Sequence, residues 1–154
     1  EEGGWEVRQY FARHYGEERA VLTHGLEEMS RFGAVVTYNG RAFDLPYLRQ
    51  RAAFHGMAIL EPPHLDLLPL VRRRWGDRLA DRRLVSLEAV VLGRQRTEDL
   101  ASGEVPDRYH EFLRRGEERL VLELLEHNRL DLLALAEVFW RMVGEVCAGG
   151  EPRA

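Results

Sequence analysis

Apolar and polar side chains alternate over Trp5 to Phe11, with Trp5, Val7, Gln9 and Phe11 on one side and Glu6, Arg8 and Tyr10 on the other. Period two with aromatic residues predicts a strand. Residues 17–30 carry Ala20, Val21, Leu22, Leu26 and Met29 at helical spacing, which predicts a helix. Gly33 to Tyr38 is short, apolar and β-branched and reads as a buried strand, turned by Asn39-Gly40 into a helix over 45–55. Pro62-Pro63 breaks the chain before a short strand at His64 to Leu68, and Pro69 suits the start of a further helix. Ser86 is placed to cap a short helix within Leu84–Leu92, closed by Gly93. Residues 94–106 read as loop, 107–114 as helix, and 117–146 as one long helix with core candidates Leu120, Val121, Leu124, Leu125, Leu132, Leu135, Ala136 and Phe139. Strand, helix, strand, helix, strand and then helices predicts an α/β domain over 1–148, with 149–154 as a tail.

Composition adds little to this picture. The apolar share of 45% and charged share of 31% are those of a globular domain. The formal charge is -4, and all 22 basic residues are Arg. Net negative charge argues against broad electrostatic binding of nucleic acid, while leaving room to hold one strand end locally. Cys147 is the only cysteine, which excludes an internal disulfide and suggests a reducing, cytoplasmic setting. No apolar run reaches the roughly 18 to 20 residues needed to cross a bilayer, so a membrane role is not expected.

Three groups of residues carry possible chemistry. Asp44 follows a buried strand and a turn, where ligand sites of open α/β sheets lie, yet it also suits a helix cap. His127 and Asp131 stand four residues apart on one helix face. An imidazole beside a carboxylate can act as a general base, and the same spacing also describes an ordinary surface ion pair. His64 and Asp66 share one side of a strand, and an acid among Leu65, Leu67 and Leu68 should be paired or sit at a sheet end. There is no Walker loop, dinucleotide fingerprint or cysteine pair for zinc.

The order of these pieces resembles the YprB-like ribonuclease H-like domains of the DEDD-type 3′-5′ exonucleases. The resemblance rests on Val36-Thr37-Tyr38-Asn39-Gly40-Arg41-Ala42-Phe43-Asp44-Leu45-Pro46, His64 to Leu68, Leu84 to Arg94, Gly103-Glu104-Val105-Pro106 and Glu126 to Leu133. It implies a ribonuclease H-like mixed sheet with flanking helices. It also implies metal-ligand roles for Asp44 and Asp131, a general-base role for His127, Mg²⁺ or Mn²⁺ as cofactor and a nucleic-acid 3′ end as partner. The four-residue spacing of His127 to Asp131 is that of the tyrosine-type branch, whereas the histidine-type branch uses five. Arg41 and Arg129 are candidate phosphate contacts beside the acids.

One departure stands out. The family's first-strand Asp-x-Glu pair has no counterpart in this sequence, and the first two strands are expected to be missing. Whether this chain is itself an enzyme is open, and weak or absent metal binding and little hydrolysis are expected of it alone. A non-catalytic module that binds nucleic acid or protein is the alternative. A strand at residues 35–37 without its neighbour would expose an edge, and a homodimer through that edge is one way to cover it.

Overall fold

The computed structural model describes residues 5–97 and 99–148. Residues 1–4, which as an acidic, Gly-rich stretch suit a turn or a frayed end, and the tail at 149–154 lie outside the described residues. The architecture is α/β: a two-stranded parallel sheet flanked by helices. Helix α1 (Glu18–Ser30) leads to strand β1 (Val35–Thr37), and α2 (Asp44–Phe54) crosses back to strand β2 (His64–Asp66). The register pairs Val35 with His64, Val36 with Leu65 and Thr37 with Asp66. A crossover helix between adjacent strands is what permits parallel pairing.

Helix α3 (Leu67–Trp75) starts directly from β2 and buries Leu67, Val71 and Trp75. Their spacing of four puts all three on one stripe. Leu87, Val91 and Val138 complete this core, with Val36, Tyr38, Leu135 and Phe139 packed against it. Helix α4 (Leu84–Leu87) passes into a π-helical turn over Glu88–Leu92, which Gly93 ends in a left-handed conformation at φ 70°. Ser86 lies inside α4 and does not cap it; Arg83 takes the cap position. Helix α5 (Val105–Arg115) starts with Pro106 in its first turn, and α6 (Glu118–Cys147) is the long C-terminal helix.

The predicted first strand does not form. Residues 5–12 have no strand pairing. Alternation supplies faces but not hydrogen bonds, and a strand needs a neighbour. Side chains anchor this segment instead. Gln9 Nε2 donates to the Leu125 carbonyl and to Asn128 Oδ1 on α6, each at 2.9 Å. Phe11 packs edge-on to Tyr109 of α5 at 5.7 Å, and the Tyr109 hydroxyl donates to the Ala12 carbonyl at 2.9 Å.

Helices α1 and α2 are joined by charge. Glu18 accepts from Arg51 Nε at 2.6 Å and pairs with His55 Nε2 at 2.8 Å. None of the described helices is long and apolar enough to cross a membrane.

Candidate active site

The loop between β1 and α2 is built around Asp66. This carboxylate is buried and accepts the Asn39 amide at 2.7 Å, the Arg41 amide at 3.1 Å and the Leu68 amide at 3.1 Å. It therefore caps α3 and clasps the loop that carries Arg41 to Asp44. An acid in an apolar setting gains its stabilisation from such hydrogen bonds. Asn39 takes the left-handed conformation at φ 65°, which Asn tolerates. Gly40 is buried, and a Cβ there would lie 2.6 Å from Thr37 Cβ, so only glycine fits without movement. His64, the other polar residue of β2, meets Thr37 Oγ1 through Nε2 at 2.8 Å.

Asp44 stands at the first position of α2, exposed to solvent, with Phe43 at the cap position. The cap position itself thus falls to Phe43, and Asp44 is the acid of the first turn.

His127 and Asp131 occupy a different setting from the surface pair their spacing allowed. Leu120, Leu124, His127, Ala134 and Val138 are buried along one stripe of α6, and Asp131 falls on the same stripe. The His127–Asp131 stripe is thus part of the buried face rather than beside it. Leu132, named as a core candidate, is 38% exposed. His127 Nδ1 lies 2.8 Å from Asp99 Oδ1, and His127 Nε2 lies 3.5 Å from Asp131 Oδ2.

Arg96 ties these groups together. Its guanidinium donates through Nε to Glu88 Oε2 at 2.7 Å and through Nη1 to Asp99 Oδ2 at 2.6 Å, and Nη1 also meets Asp131 Oδ1 at 2.9 Å. Arg96, Glu88 and Asp99 are all largely buried, while Asp131 keeps 31% of its side chain in contact with solvent. Among the described residues, Nη2 of Arg96 is buried without a hydrogen-bond partner. Burial works against the charge on Arg96, and its hydrogen bonds to Asp99, Glu88 and Asp131 outweigh that, raising its pKa. Burial likewise pushes the Asp99 carboxyl up, and hydrogen bonds from Arg96 and His127 bring it below the usual carboxylate range.

His127, Asn128 and Asp131 are among the residues that line a cleft of about 680 Å³. Leu22 and Met29 of α1, Leu48 of α2 and Leu124 of α6 give it apolar walls. Leu48 lies one helical turn beyond Asp44 on α2, but Asp44 is not among the residues lining the cleft. His127 and Asp131 are therefore brought together, and Asp44 does not join them there. Of the two phosphate candidates, Arg41 is exposed, while Arg129 is engaged by Glu126 through two contacts of 2.7 Å.

Glu88, Arg96 and Asp99 were not foreseen. Glu88 did leave a signal, as the one acid in the apolar run Leu84 to Leu92, where a buried partner is required. Arg96 and Asp99 sit in a polar stretch whose pattern resembles any loop.

The model of the RNase H superfamily matches residues 1–143. The chain belongs to the RNase H superfamily. It is also 32% identical over 139 residues to the Uncharacterized protein YprB of Bacillus subtilis (strain 168), an alignment that covers 88% of this chain and 33% of that protein. The chain thus spans about a third of the length of that relative. Both findings bear out the resemblance carried by the Asn39 to Asp44 and His127 to Asp131 segments, and with it the α/β fold class.

A divalent ion of the kind this superfamily implies is not matched by the residues present. Among the described residues, no group of three His, Cys, Asp or Glu side chains could hold a metal ion. Asp131 already has a cation against one oxygen in the Arg96 guanidinium.

Proposed function

We propose that this chain carries part of a 3′-5′ exonuclease site that, in a complete domain, hydrolyses nucleic-acid phosphodiesters with the help of Mg²⁺ or Mn²⁺. The observation that carries the reading is the burial of His127 beside Asp131 in the lining of a largely apolar cleft, in a chain of this superfamily. Asp131 and Asp44 serve as the acids, and His127 takes the proton of the attacking water. Arg41 meets the strand's phosphates, and Arg129 does so after leaving Glu126. The chain alone binds metal weakly and hydrolyses little, because its acids offer too few oxygens in one place. A lone cysteine, Cys147, suits a cytoplasmic location.

A second reading has its own support. Asp131 held by Arg96 is the arrangement of a structural ion pair, which favours a non-catalytic module binding nucleic acid or protein. Among the described residues β1 pairs with β2 alone, and its other edge leaves a homodimer as a further arrangement, which sedimentation at several concentrations would reveal.

The two readings separate in one assay. A 5′-labelled single strand is incubated with Mn²⁺ and either this chain or an N-terminally extended form. The nuclease reading expects stepwise shortening by the extended form, lost in Asp44→Ala and Asp131→Ala. Shortening that survives both substitutions sinks the site assignment. Binding of the labelled strand without shortening, by either form, supports the module.

A further inference from the structure

We infer that Asp99 is a positioning residue for His127. It would fix which imidazole nitrogen carries the proton and which faces the cleft. The inference rests on the reading of His127 as a base but is tested without it.

Asp99 Oδ1 lies 2.8 Å from His127 Nδ1, and both side chains are about nine-tenths buried or more. An ionised carboxylate has no proton to give, so Nδ1 must be the donor. In a neutral imidazole the other nitrogen, Nε2, is then the bare acceptor. Nε2 lies 3.5 Å from Asp131 Oδ2, on the side of α6 that lines the cleft. A base must present an unprotonated nitrogen to the proton it takes, and this tautomer presents Nε2.

Arg96 explains why Asp99 can hold that place. Its Nη1 takes Asp99 Oδ2 at 2.6 Å and so leaves Oδ1 for His127. The same Nη1 reaches Asp131 Oδ1 at 2.9 Å and draws negative charge away from the Asp131 oxygen that faces Nε2. With Glu88 on Nε, the guanidinium is fixed at both ends, and Asp99 is held in one rotamer. The loop after Gly93 thus delivers two residues, Arg96 and Asp99, that reach Asp131 and His127.

The test is the tautomer itself. Two-bond ¹⁵N–¹H correlation spectra are recorded on the full chain at alkaline pH, where imidazole is neutral, and the His127 pattern is assigned by its loss in His127→Gln. The expected pattern is the Nδ1–H tautomer in the native chain, replaced by the Nε2–H tautomer in Asp99→Ala. A native His127 with its proton on Nε2 overturns the inference without any variant. So does an Asp99→Ala chain that keeps Nδ1–H. Should Asp99→Ala fail to fold, Asp99→Asn keeps the shape. Its side-chain amide can serve as donor or acceptor, so the expected result is a loss of the single-tautomer pattern, and an unchanged pattern counts against Asp99. Correct tautomers together with an inert extended form would leave this inference standing and remove the nuclease reading.

Discussion

Arg96 Nη1 stands 2.9 Å from Asp131 Oδ1, joining the loop that follows the π-helical turn to the acid on α6. The same guanidinium holds Glu88 and Asp99, so one cation serves three carboxylates in a largely buried setting. Removing one partner of such a group leaves the rest uncompensated, at a cost of about 3 to 5 kcal/mol. Arg96→Met is therefore expected to lower the urea-denaturation stability by that order. A loss below about 1 kcal/mol, the range of exposed pairs, would show that the network is solvated.

Asp66 supports the loop that carries Asp44. It accepts three backbone amides, two of them from the loop that leads to Asp44. Asp66→Ala leaves those donors without a partner, for an expected loss of about 2 to 3 kcal/mol in chemical denaturation. The Asn39 and Arg41 amides should also exchange hydrogen faster. Unchanged protection at both amides would contradict the clasp.

Acid sensitivity follows from Glu18. The hydrogen bond from Arg51, opposed by burial and aided by His55, holds its carboxyl down to about 2. A carboxyl depressed in the folded state adds stability above its ordinary pKa of about 4.3 and loses it as pH falls toward the folded value. The stability difference between the native chain and Glu18→Gln should therefore be greatest above about pH 5 and shrink steadily toward about pH 2. A difference that stays constant across this window would remove the link between α1 and α2 as its source.

Much of the fold was legible because it depends on local pattern. The apolar Val35 to Thr37, the Asn39-Gly40 turn and the stripe on α6 each state their element in a few neighbouring residues. Trp5 to Phe11 was misread because alternation predicts a strand only where a neighbour pairs with it. The site was half legible. His127 and Asp131 announced a shared face, but their burial depends on the spacing 120, 124, 127, 131, 134, 138, in which two polar residues interrupt an apolar stripe. Asp99 and Arg96 reach the site across the fold, 28 residues of chain separating Asp99 from His127, and no local period encodes such a contact.

The reading turns on Asp131 as a metal-binding acid that needs more ligands than the described residues bring to it. The direct measurement is the free Mn²⁺ signal by electron paramagnetic resonance, titrated against this chain, an N-terminally extended form and the extended form with Asp131→Ala. The expected result is little binding by the chain alone, clear binding by the extended form and loss of that binding in Asp131→Ala. Tight binding by the chain alone, or binding by the extended form that survives Asp131→Ala, would contradict it.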